Sequence, residues 1–226
     1  MRLATPTAND HEQLVQHGTV FVVDDDPDLR KSVALLLRTV DLDVMTFDSA
    51  RQFLEQYQPD MPGCLLLDVR MPDMSGLEVQ RQLNQRDIQL PIIFVSAFGE
   101  ISMVTQMLRA GALDFLQKPY SPQVLLERIH EALQRDRQQR SDRAEHLRVE
   151  AHLQQLSERE REVMQLLADG LTTKSIAAQL AISSKTVDNH RARIYEKLQV
   201  DSPATLATLV LKHCRDFTPS LIRKGR

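Results

Sequence analysis

Five times between residues 19 and 138 a short apolar run is followed by a longer amphipathic stretch: 19–23 then 27–40, 44–47 then 49–57, 64–67 then 75–85, 91–95 then 100–110, and 113–116 then 121–138. Runs of four or five apolar residues without alternation fit strands buried on both faces, and such strands occur in parallel sheets covered by helices. Strand and helix in strict succession therefore predict a doubly wound α/β domain with a five-stranded parallel sheet.

The period changes after residue 138. Residues 131–151 are polar, rich in Arg, Glu and Gln, and hold no Gly or Pro. That composition favours continued helix over coil, so the segment reads as an extension of the fifth helix, with 138–151 as a helical linker. Only helical periods follow. Ser157-Glu-Arg-Glu160 is a capping box and Gly170 stands where a residue just past a helix end belongs, so a helix is expected over about 158–169. Thr172 or Thr173 can cap a second helix to Leu180, Ala181-Ile182-Ser183 forms a tight turn, and Ser183 or Ser184 caps a third to Leu198. Ser202-Pro203 starts a fourth, with Pro in the first turn. The 226 residues thus divide into a disordered extension (1–18), an α/β domain (19–137), the linker, and an all-α four-helix domain (152–226).

Charge divides at the same place. Residues 1–151 carry 16 basic and 23 acidic side chains, a net of −7, whereas 152–226 carry 12 and 8, a net of +4. Only the second half suits a polyanion. The two cysteines, Cys64 and Cys214, have no CxxC partner or His at metal spacing, and reduced thiols are expected. No apolar stretch nears the ~18 residues a membrane helix needs, and the N-terminus lacks the apolar core of a signal peptide, so a cytoplasmic protein is expected.

In an open parallel sheet of flavodoxin-like order, ligands bind beyond the carboxyl ends of the first and third strands, where the winding reverses. Asp24, Asp25 and Asp26 follow the first strand and Asp68 follows the third. Carboxylates so close together call for a cation, and an all-oxygen set suits Mg²⁺ with room for water and a phosphate. Ser96 after the fourth strand offers a hydroxyl, and Lys118 after the fifth a cation for phosphate oxygens. Singly, each residue is as well read as a helix cap or a solvated charge. Together, at four strand ends of one sheet, they suit phosphoryl transfer.

The residues that carry this argument also carry a resemblance. VVDDD (22–26), LLLDVRMPDMSG (65–76), SAFGE (96–100) and AGALDFLQKPY (110–120) resemble the receiver domain of two-component response regulators. The resemblance implies that Asp68 accepts a phosphoryl group from a sensor histidine kinase. Asp24, Asp25, Asp68 and the main-chain carbonyl of Arg70 would surround Mg²⁺, with Asp26 an adjacent acid. It further implies that Ser96 and Lys118 bind phosphoryl oxygens, and that Phe115 moves inward when Ser96 moves, changing the face around 100–116 where a phosphorylated homodimer would form.

The second and third C-terminal helices have helix-turn-helix spacing, whose second member enters the major groove. Along 183–200 (SSKTVDNHRARIYEKLQV), Val187, Ile194 and Leu198 share the inward side and leave Lys185, Asp188, Asn189 and Ala192 for base edges. Arg191, Arg193 and Lys197, with Lys174 on the preceding helix, suit phosphates. The stretch 156–200 resembles the LuxR-type helix-turn-helix, and with the receiver it indicates the NarL/FixJ family, although Asp188 stands where that family often has Lys. Promoter DNA is then the expected partner, with RNA polymerase recruited by an activator. A rival reading is a Mg²⁺-dependent phosphatase with an aspartyl nucleophile. No insertion between the strands is long enough to cap a substrate, so no catalytic turnover is expected beyond slow loss of the chain's own phosphate.

Overall fold

The computed structural model of the chain describes residues 18–97 and 101–213; the expected extension, Gly18 apart, and Cys214 lie outside them. Strands β1 (Thr19–Val23), β2 (Val44–Phe47), β3 (Gly63–Asp68), β4 (Ile92–Ser96) and β5 (Asp114–Gln117) form one sheet in the order β2-β1-β3-β4-β5, and every pairing is parallel. The helices between them are α1 (Pro27–Arg38), α2 (Ala50–Gln56), α3 (Gly76–Gln85) and α4 (Ile101–Arg109), with α5 (Pro122–Gln154) after the last strand.

The apolar runs sort themselves by the two-residue period of a strand. Val20 and Val22 of β1, Cys64 and Leu66 of β3, and Ile93 and Val95 of β4 face one layer, closed by Val33 and Leu37 of α1 and Leu125 and Ile129 of α5. Phe21, Val23, Leu65, Leu67, Ile92 and Phe94 face the other, closed by Phe53 of α2, Val79 and Leu83 of α3, and Met107 of α4. With both faces covered, every residue of β3 is buried, which is why its sequence runs apolar up to Asp68. Side-chain caps start the helices just past the strand ends: Asp26 accepts from the N–H groups of Asp28 and Leu29, Ser49 from Gln52, and Ser75 from Glu78.

Helix α5 continues unbroken to Gln154, and the chain divides into two compact units between Arg140 and Ser141, within the segment expected as linker. In the second unit follow α6 (Glu158–Ala168), α7 (Thr173–Leu180), α8 (Ser184–Leu198) and α9 (Pro203–His213). Ser157 caps α6 with both halves of a capping box in place, Thr172 caps α7 and Ser183 caps α8. Gly170 takes the left-handed conformation (φ 79°) that ends α6. Val163, Met164, Ile176, Val187, Ile194, Leu198 and Leu206 form a separate core.

Candidate phosphoryl-transfer site and nucleic-acid interface

Because β1 and β3 are parallel neighbours, Asp24 and Asp68 come off adjacent strand ends, and both are buried. The Lys118 ammonium joins them, donating to Asp24 Oδ2 and to Asp68 Oδ1, each at 2.7 Å. The other Asp68 oxygen accepts the N–H of Arg70 at 2.6 Å, and Asp24 Oδ1 accepts that of Asp26 at 2.9 Å. Lys118 is placed by the register of β5 beside β4, its N–H bonding the carbonyl of buried Ser96 at 2.8 Å, and its peptide to Pro119 is cis. Gly76 is required by close approach: a Cβ there would stand 2.5 Å from the Asp68 carbonyl oxygen and 2.9 Å from the Phe94 ring.

Burial pushes the Asp68 carboxyl above its usual range, and the Lys118 ammonium and the Arg70 N–H only partly offset that. Burial opposes the charge on Lys118 as well, but two carboxylates outweigh it and hold the lysine above its ordinary value. Asp68 is thus a desolvated carboxylate of raised basicity whose lysine partner can transfer to a new anion.

Of the residues expected here, Asp24, Asp68, Ser96 and Lys118 converge. Asp25 is exposed beside them, and Asp26 spends its side chain capping α1. Phe115, on β5 opposite Phe94, is partly buried against the core. The carboxylates of Asp24 and Asp68 are hard oxygens of the kind Mg²⁺ takes, and this ion usually keeps several waters. Among the described residues no three His, Cys, Asp or Glu side chains converge to hold an ion by themselves.

On the helix-turn-helix, Val187, Ile194 and Leu198 are buried, while Lys174, Lys185, Asp188, Asn189, Ala192 and Arg193 are exposed. Asp188 accepts from Arg191 at 3.2 Å, an exposed pair of the kind worth well under ~1 kcal/mol and readily broken. Lys197 lies differently from the expectation that it reaches phosphate. Its ammonium bonds Glu160 Oε2 at 2.7 Å and the Gln155 carbonyl at 3.1 Å, so it ties α8 to the capped start of α6. Burial works against the Glu160 charge, yet Lys197 and the Ser157 cap outweigh it and hold its pKa below the usual glutamate value. Lys197→Met should therefore lower the stability of this unit by about 2 kcal/mol near neutral pH, read in urea melts. The deficit should shrink as pH falls through the depressed Glu160 value, because protonation removes the charge that the lysine neutralises. The capping box identified Glu160 in the sequence; nothing local identified its lysine.

Residues 20–130 match the response regulator receiver domain family, and residues 154–210 match the bacterial regulatory proteins, luxR family. The transcriptional regulatory protein TdiR of Thauera aromatica is 43% identical over 88% of this chain and 89% of its own, and FixJ of Rhizobium meliloti is 39% identical over 85% and 95%. Among solved structures, the response regulator StyR is similar at a TM-score of 0.80, with 44% identity over 87% of this chain and 99% of its own. Full-length FixJ from B. japonicum is similar at 0.54, with 31% identity over 87% and 97%. A receiver fold with its acidic pocket and lysine, followed by a capped helix-turn-helix, in this order and over this length, places the chain in the NarL/FixJ family of two-component response regulators.

Proposed function

We propose that this response regulator transcription factor is switched by phosphorylation of Asp68, and the observation that carries the reading is Lys118 held 2.7 Å from both Asp24 and Asp68. An Asp68 oxygen attacks the phosphorus of a phosphohistidine on a sensor kinase; the new P–O bond forms as the P–N bond breaks, and the imidazole leaves with its electron pair. Mg²⁺, held by Asp24, Asp25, Asp68 and the Arg70 carbonyl, supplies charge compensation when bound. Lys118 then exchanges the Asp68 oxygen for a phosphoryl oxygen, Ser96 donates to another, and Phe115 takes the space that Ser96 vacates.

The altered face of α4 and β5 forms the homodimer, and paired helix-turn-helix units read promoter half-sites through Lys185, Asp188, Asn189 and Ala192. Lys174, Arg191 and Arg193 neutralise phosphates, so affinity falls with salt. The dimer recruits RNA polymerase and activates transcription. In this reading residues 138–151 are the linker, and the chain turns over no substrate beyond slow loss of its own phosphate.

The test is intact mass, native mass and promoter affinity after a small-molecule phosphodonor and Mg²⁺, with wild type beside Asp68→Asn. A phosphoryl gain, dimer and tighter DNA binding in wild type alone are expected. Equal labelling of Asp68→Asn would remove Asp68 as acceptor, and a labelled wild type that stayed monomeric would remove the dimer.

A further inference from the structure

Four charged or titratable side chains of the second unit that belong to neither site described above gather together: Glu145 and His146 near the end of α5, and Lys212 and His213 at the end of α9. The imidazoles meet through like atoms, Nδ1 of His146 standing 3.3 Å from Nδ1 of His213, with ring centroids 5.6 Å apart. Glu145 Oε1 lies 3.7 Å from Nε2 of His213, whose side chain is only 7% exposed. The other oxygen of Glu145 is held by Lys212 Nζ at 2.9 Å.

A neutral imidazole carries one N–H, and a carboxylate beside Nε2 favours the hydrogen there. That leaves the Nδ1 of His213 as a bare lone pair pointed at another Nδ1. The separation is longer than the ~2.9–3.0 Å typical of N–H hydrogen bonds. It equals the edge of a tetrahedron whose ligands lie about 2.0–2.1 Å from a central zinc, which is about 3.3–3.4 Å. Glu145, 3.7 Å from Nε2 and so beyond hydrogen-bond length, stands on the side where metal-bound imidazoles usually find an acceptor.

We propose that His146 and His213 chelate a divalent transition-metal ion of the zinc class through their Nδ1 atoms, with water completing the tetrahedron and Glu145 orienting His213. Among the described residues no third side chain joins them, and two imidazoles leave the other positions of a tetrahedral ion to water. Imidazole selects zinc, copper or nickel over Mg²⁺, which keeps this site chemically separate from the oxygen-lined pocket at Asp68. The ion clips the last turn of α9 to a helix 67 residues earlier in the chain.

The experiment is calorimetric titration of the untagged full chain with Zn²⁺ in millimolar Mg²⁺, so that the acidic pocket is already supplied. One ion per chain at a Kd on the order of 10 µM is expected, with a rise in the melting temperature of a few degrees on saturation. His146→Gln and His213→Gln should each weaken binding at least about tenfold and Glu145→Gln about tenfold. His146→Cys should retain binding, and the exposed His130→Gln should leave it unchanged. Absence of saturable binding, or binding that survives both glutamine variants, overturns the proposal. So does a His146→Gln variant that melts lower by the same amount with and without zinc, because the pair is then a hydrogen bond only.

Discussion

Replacing Lys118 with methionine is expected to destabilise the receiver by about 3 kcal/mol in the absence of divalent cations, and to recover most of that loss when Mg²⁺ is added. The magnitude follows from what the substitution leaves behind: Asp24 and Asp68 are 2% and 9% exposed in their side chains, and each loses its ammonium partner. A divalent ion restores the missing positive charge between the same oxygens, so the rescue separates an electrostatic role from a packing role. The sign with pH is fixed by the raised value of Lys118. Its contribution is fully present below the ordinary lysine pKa and is lost as pH rises through the raised one, in alkaline solution. Urea melts of both proteins with and without Mg²⁺ read the effect, and a Lys118→Met protein as stable as wild type without Mg²⁺ would show that the pair carries no such load.

Arg140→Ala should cost about 3 kcal/mol, although Arg140 stands 22 residues beyond Lys118 on a helix that looks solvated in sequence. Its guanidinium is spread over three partners: both oxygens of Asp136 at 2.9 and 2.8 Å, the Asp60 carbonyl at 3.1 Å and the Met61 carbonyl at 2.6 Å. Asp136 is itself buried and accepts the N–H of Gly63, the first residue of β3, at 2.9 Å. Removing the guanidinium leaves a buried carboxylate with that one N–H, and strips a donor from two carbonyls just before β3. Arg140→Lys should recover less than half of the loss, because a point charge cannot reproduce the planar fork. Thermal or urea unfolding of the full chain, followed through the receiver transition, checks both values. Full recovery by lysine would mean that charge alone matters there.

The network also explains why the first compact unit ends at Arg140. Up to that residue α5 is bound to the sheet and to the segment preceding β3. Beyond it no residue of the helix belongs to the two core clusters of the receiver. Composition marked where the apolar face ran out, but the residue that closes the unit is polar, and its role depends on carbonyls about 80 positions earlier in the chain.

What the sequence determined by itself is whatever short-range chemistry dictates. Unbroken apolar runs specified strands buried on both faces, and Asp26, Ser157 and Ser183 marked helix starts because a side-chain oxygen reaches the N–H groups only two or three residues ahead. Strand ends in a parallel sheet collect on one edge, so the joint placement of Asp24, Asp68, Ser96 and Lys118 was legible before any coordinate. Tertiary structure alone decided the partners. Lys118 rests on carboxylates 94 and 50 residues away, Lys197 turns from solvent to Glu160, and Arg140 reaches Asp60 and Met61. It also decided the left-handed φ of 54° that Ala181 and Gln199 take without being glycine. There the burial of neighbours such as Val200 outweighs a local backbone cost of about 1 kcal/mol. A long charged side chain has many partners of similar worth within reach, and only the return of distant chain segments selects among them.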